Sequence, residues 1–186
     1  EDLFLQTKFT YLQGQDERLP YDKNASVGQQ VLQSMESSLE HLGVESVDSY
    51  VLHGPSTRHG LSQTDLLTWE AMELLHQAGK TRLLGVSNVT LDQLEALHER
   101  VSIKPTFVQN RCFASQGWDR AVRQFCSEHG ILYQGFSLLT ANTPVLSAPL
   151  MVTLTDKTGK TPAQVIFRFA QQVGMMPLTG TCSADH

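Results

Sequence analysis

Two kinds of stretch take turns along the chain. Short apolar runs are each followed by a longer segment whose apolar residues recur at helical spacing. The run Leu3–Phe9 (LFLQTKF) predicts a strand with Lys8 near its C-terminal end. A polar loop, residues 10–25, leads to a helix that opens on the capping box Ser26/Gln29 and runs to Leu42, with Val27, Val31, Met35, Leu39 and Leu42 on one stripe. Residues 47–53 predict the second strand, and 63–77 the second helix, with Leu66, Leu67, Met72, Leu74 and Leu75 as its buried side. The third strand, 81–86, ends in Ser87-Asn88, and a capping box, Thr90/Gln93, starts the next helix at once. Strand is predicted again over 106–112, helix over 118–129 and strand over 131–137. Residues 144–157 predict partial helix. Thr161-Pro162 with Gln164 then opens a helix to Val173, and a last strand, 175–178, precedes Thr179-Gly180-Thr181.

Strands alternating with helices predict an α/β fold with a parallel sheet, either open and doubly wound or closed as a barrel. A full eight-unit barrel takes about 250 residues. Six units in 186 residues have a barrel's spacing with two units absent. The chain enters an apolar run by Leu3 and stops soon after its last strand, so a piece of a longer protein is expected, a single partial domain over 1–186. Edge strands left unpaired by such an opening predict marginal stability and self-association.

The polar residues recur at one place in each unit. Lys8, His53, Ser87-Asn88, Gln109-Asn110, Ser137 and Thr179 each fall at or near the C-terminal end of a successive strand. In a parallel barrel those ends converge on the face that holds active sites. One such residue is ordinary turn chemistry, whereas a series of them favours a lined pocket. Taken singly, each has a plain reading: a surface lysine, a core histidine, a glutamine bridging strands, a core Phe136. The chemical readings are a buried ammonium at Lys8 that lowers a neighbour's pKa and a neutral imidazole at His53 that donates to a substrate oxygen.

Composition narrows the classes. At 40% hydrophobic and 18% charged the chain resembles an ordinary globular protein, and a net charge of −5 argues against nucleic acid as a partner. No apolar run is long enough to span a membrane and no signal peptide is visible, so a cytoplasmic location is expected. Cys112, Cys126 and Cys182 fit reduced thiols better than a disulfide framework or zinc site. No metal-ligand cluster, P-loop, GxGxxG or GxSxG motif is present.

With these residues in place, the chain resembles the aldo-keto reductases. The segments LFLQTKF, SSLEHLGVESVDSYVLHGP, GKTRLLGVSN, KPTFVQNRCF, FCSEHGILYQGFSLL and TPAQVIFRFAQQVGMMPLTGT come in family order and cover nearly the whole chain, with GKTRLLGVSN and VDSYVLHGP the most specific. The resemblance implies a (β/α)8 barrel, of which this chain would hold strands three to eight. It also implies NADPH as cofactor, with NADH as the second choice, and hydride transfer to a small-molecule aldehyde or ketone. By the same resemblance, Lys8 would lower the pKa of a catalytic tyrosine and His53 would orient the carbonyl. Ser87, Asn88 and Gln109 would hold the nicotinamide carboxamide, with Phe136 stacked on the ring. Ser137 and Leu139 would lie by the pyrophosphate, and Thr179 and Thr181 by a ribose or phosphate.

Two departures follow. The family's catalytic Asp and Tyr precede the strand that begins here at Leu3, and Tyr11, Tyr21, Tyr50 and Tyr133 do not match the tyrosine's place. The lysine common beside the 2′-phosphate aligns with Leu178. The chain is therefore expected to be weak or inactive alone. The alternative is a non-catalytic dinucleotide-binding or interaction protein, a branch that the family includes.

Overall fold

Four helices open where a hydroxyl side chain can accept the first free backbone N–H. They are α1 (Val27–Leu42), α2 (Gln63–Gln77), α3 (Leu91–Arg100) and α7 (Pro162–Gln172), capped by Ser26, Ser62, Thr90 and Thr161. Each cap is reciprocal, with the third helical residue bonding back; losing such a cap typically costs about 1 kcal/mol. The remaining helices are α4 (Arg120–Glu128), α5 (Thr143–Leu146) and α6 (Pro149–Thr158). A computed structural model describes residues 3–181.

Six strands lie between the helices: β1 (Gln6–Phe9), β2 (Val47–Leu52), β3 (Thr81–Ser87), β4 (Phe107–Arg111), β5 (Leu132–Phe136) and β6 (Met175–Pro177). They are hydrogen-bonded in chain order, β1 to β6. β1 pairs in parallel with β2, with Lys8 opposite Val51; β2 pairs with β3 and β5 with β6 in the same sense. Every strand and helix expected from the pattern is present, with ends shifted by a few residues. The chain divides into two compact units, Glu1–Val108 and Gln109–His186.

The first unit is built round Phe9, Met35, Tyr50, Trp69, Met72 and Leu84, all essentially fully buried. Gly85 sits where β3 meets the start of β4. A Cβ there would lie 3.0 Å from both the Cβ and the carbonyl oxygen of Phe107, so a larger residue would push the strands apart. The second unit buries Cys126, Tyr133, Leu138, Met151, Ile166 and Met175.

Two expectations need correction. Leu67 and Leu74 are 42% and 59% exposed, not part of the buried side of α2. That side is Thr68, Trp69, Ala71, Met72 and Leu75, turned inward by fully buried Trp69, whose Nε1 donates to the Ile103 carbonyl at 3.0 Å. The helix expected from Trp118 starts only at Arg120. Gly117, Trp118 and Asp119 all have positive φ, which no right-handed helix allows. Cys182 and His186 lie outside the described residues.

Candidate functional site

In the first unit the ends of three strands are tied together. The His53 N–H donates to the Phe9 carbonyl at 2.8 Å, which joins the end of β2 to β1. Asn88, just past β3, donates its side-chain N–H to the His53 carbonyl at 2.8 Å and approaches Ser87 Oγ at 3.2 Å. Asn88 has φ of +50°, a left-handed conformation that asparagine tolerates because its short amide bonds locally. Lys8, His53, Ser87 and Asn88 are thus neighbours. Burial lowers the Lys8 ammonium below the ordinary lysine value. Burial, and secondarily the Lys8 charge, lowers His53 below the ordinary histidine value. The ring nitrogen Nδ1 of His53 lies 2.9 Å from Thr10 Oγ1. A hollow of about 380 Å³ opens here, lined by Thr10, Tyr11, His53, Ser56 and Asn88 among others.

A buried carboxylate holds the loops around that hollow. Asp65 Oδ1 accepts from the Ser56 N–H at 2.7 Å and from the Tyr11 hydroxyl at 3.0 Å. Its Oδ2 accepts from the N–H and the hydroxyl of Ser62 at 2.8 and 2.9 Å.

In the second unit Gln109 and Gln134 are both buried, and Gln109 Nε2 donates to Gln134 Oε1 at 2.9 Å. Asn110 Nδ2 and the Tyr133 hydroxyl both donate to Asp119 Oδ2, at 2.9 and 2.8 Å. Phe136, Ser137, Leu139 and Thr179 line one hollow of about 370 Å³, with Phe167 and Leu178. Thr181 is exposed and is not among that hollow's lining residues. Ser137 has φ of +57°, and its hydroxyl has no side-chain partner among the described residues. Asn142 holds the loops here. Its Oδ1 accepts from the Ala114 N–H at 2.7 Å, and its Nδ2 donates to the carbonyls of Cys112 and Leu138, both at 2.9 Å.

The first unit therefore brings together Lys8, His53, Ser87 and Asn88, and the second brings together Phe136, Ser137, Leu139 and Thr179. Asp65, Gln134 and Asn142 were missed as supporting residues. Asp65 left a signal in the sequence, its three-residue spacing from Ser62. Gln134 and Asn142 left none, because their partners are distant in sequence or are backbone groups.

All four tyrosine hydroxyls are committed within the protein. Tyr11 donates to Asp65 and Thr68, Tyr21 to the Thr10 carbonyl, Tyr50 to the Val31 carbonyl and Tyr133 to Asp119. Burial raises each of them above the ordinary tyrosine value, which makes each a poorer acid. Among the described residues no three His, Cys, Asp or Glu side chains converge as a metal site. None of the helices there is long and apolar enough to cross a membrane.

Parallel strands with polar residues at their C-terminal ends are the arrangement on which α/β barrels build their active sites. The family model described as "Aldo/keto reductase family" matches residues 1–186, and the chain belongs to that family. It is 30% identical over 158 residues to 2,5-diketo-D-gluconic acid reductase B of a Corynebacterium species, which covers 84% of this chain and 55% of that protein. It is 31% identical over 147 residues to glyoxal reductase of Bacillus subtilis, covering 79% of this chain and 51% of the relative. Among solved structures, an aldo/keto reductase from Brucella melitensis aligns at 25% identity with a TM-score of 0.77, over 97% of this chain and 63% of the other. An aldo-keto reductase complexed with NADPH aligns at 23% identity with a TM-score of 0.77, over 98% of this chain and 56% of the other. The fold is an α/β arrangement of six parallel strands alternating with helices, matching part of a (β/α)8 barrel. The chain spans about half the length of the curated relatives it matches.

Proposed function

We propose that the chain contributes the carbonyl-orienting and nicotinamide-holding part of an NAD(P)H-dependent reductase of small aldehydes or ketones. The observation that carries this reading is the grouping of Lys8, His53 and Asn88 at the C-terminal ends of β1 to β3, where burial first and the Lys8 charge second favour a neutral His53. A neutral imidazole carries one N–H, which can donate to a carbonyl oxygen as negative charge develops there.

Two observations support a nicotinamide dinucleotide at the second unit's hollow. Phe136 and Phe167 supply aromatic wall, and Ser137 is a non-glycine residue in a left-handed conformation whose hydroxyl has no side-chain partner among the described residues. Such backbone strain gathers at ligand sites. Within this unit Phe136 would face the ring, and Ser137, Leu139, Thr179 and Thr181 would take the phosphate and ribose side; Ser87 and Asn88 of the first unit and Gln109 of the second are proposed as carboxamide contacts on the family resemblance alone. When bound, the cofactor supplies a hydride. Lys8 places a positive charge beside the site, and His53 orients the oxygen that is reduced. NADPH is proposed over NADH because a neighbour in fold was solved with NADPH.

Fluorescence titration tests the binding half: quenching or a spectral shift on adding NADPH to this chain is expected, and its absence overturns the reading. Carbonyl-dependent NADPH oxidation by the whole protein, on a broad aldehyde panel, tests the catalytic half. Binding without oxidation there would overturn the reductase reading in favour of a non-catalytic dinucleotide binder.

A further inference from the structure

Thr10 follows β1 directly, and both its backbone and its side chain are held. Its carbonyl receives the Tyr21 hydroxyl at 2.7 Å and Gln15 Nε2 at 3.0 Å. Its methyl occupies the space over Gly14, where even a Cβ would come within 2.9 Å of Thr10 Cγ2. With the methyl so placed, the hydroxyl faces His53 Nδ1 at 2.9 Å. The backbone that carries the imidazole is held too, through the bonds of the His53 N–H to the Phe9 carbonyl and of the Asn88 side chain to the His53 carbonyl. The long loop after β1 therefore reaches the histidine ring through the Thr10 hydroxyl.

We propose that Thr10 is a positioning residue: its hydroxyl donates to His53 Nδ1, fixing the tautomer in which Nε2 carries the proton. This rests on the reading of His53 as the residue that orients a carbonyl. A neutral imidazole has one N–H, and whichever nitrogen accepts a hydrogen bond leaves the proton on the other. If Thr10 accepted from Nδ1–H instead, Nε2 would present a lone pair, which repels a carbonyl oxygen. The direction of one hydroxyl thus decides whether the ring can act as a donor. Burial and the Lys8 ammonium support a neutral ring, the only state in which tautomers matter.

The test is ¹⁵N-imidazole NMR on the full 186-residue chain above pH 8, with the His53 signals assigned by their loss in His53→Asn. A protonated Nε2 and an unprotonated, hydrogen-bonded Nδ1 are expected. Thr10→Val keeps the shape and removes the hydroxyl. It should lower the ratio of Nε2–H to Nδ1–H forms by about fivefold, the worth of one ordinary hydrogen bond. Thr10→Ser should restore the ratio. Gly14→Ala, which presses on the Thr10 methyl while leaving the hydroxyl in the chain, should lower it too and serves if Thr10→Val does not fold. A protonated Nδ1 in the parent chain overturns the proposal, as do nitrogen shifts unchanged in both Thr10→Val and Gly14→Ala. No cofactor or substrate enters this measurement. Its failure leaves NADPH binding standing, and a failure to bind NADPH leaves the tautomer result intact.

Discussion

In each of the two units a buried polar side chain ties strand-end loops, and these two, Asp65 and Asn142, have opposite hydrogen-bond character. In the first unit Asp65 accepts four bonds, from Ser56, Ser62 twice and Tyr11, and donates none. In the second, Asn142 accepts one and donates two. The difference follows from what the loops leave unsatisfied. The segment 56–62 precedes a helix and offers Asp65 its backbone N–H groups, as every helix start does, while its Thr57 and Gly60 carbonyls are met separately by the buried Gln93 amide. The loops after β4 and β5 instead turn two carbonyls inward. A carboxylate suits the first set and an amide the second, and neither can replace the other.

That comparison can be broken at its strongest point by exchanging the two chemistries. Asp65→Asn keeps the shape but turns an NH₂ towards donors, and a denaturant melt should show a loss of about 3 kcal/mol. Asn142→Asp keeps the shape but sets an acceptor against the carbonyls of Cys112 and Leu138, with a loss of about 2–3 kcal/mol expected. Losses under about 1 kcal/mol for both would mean that the loops are held by something other than these bonds.

The residues after β3 and β5 sharpen the comparison at a smaller scale. Asn88 and Ser137 both adopt left-handed backbone, at φ of +50° and +57°. Asn88 offsets the strain through its bond to the His53 carbonyl, whereas Ser137 has no side-chain partner among the described residues. Glycine at each position therefore acts in opposite directions. Ser137→Gly should stabilise the chain by about 1 kcal/mol while weakening NADPH binding. Asn88→Gly removes strain and a hydrogen bond together, so a net loss of about 0.5 kcal/mol or more is expected. Equal shifts of the same sign in the two melting curves would refute the assignment of strain to Ser137.

The legible part of this architecture was the local part. The capping boxes at Ser26, Thr90 and Thr161 fixed where helices begin, because their partners lie three residues away. The box at Ser62 went unread because aspartate stands at the third position, and that same Asp65 is the hub of the first unit's loops. The leucine stripe misled on α2, where Leu74 faces out and Trp69 faces in, since counting apolar residues ignores which one can satisfy a buried polar atom. Lys8, His53, Ser87 and Asn88 were legible as strand-end residues. The bonds that orient them, from Thr10 and between Asn88 and His53, join residues 35 to 43 apart and leave no periodic trace.

The smallest expected effect lies in the electrostatics around His53 in the first unit. His53 in the folded chain has a pKa below the ordinary value of 6.5, first because burial disfavours the charged ring and second because Lys8 repels it. The unfolded chain then takes up the proton at a higher pH than the folded one. Stability carried by this group is complete above pH 6.5 and falls as pH drops through the folded value. An NMR titration of His53 should give a midpoint under 6.5. Lys8→Met removes the repulsion and leaves the burial, so the midpoint should rise towards the ordinary value without reaching it. A rise all the way would make Lys8 the main cause, and an unmoved midpoint would show that the two side chains do not sense each other. In either case the shift separates the roles of solvent exclusion and of charge at the one side chain on which the carbonyl-orienting chemistry depends.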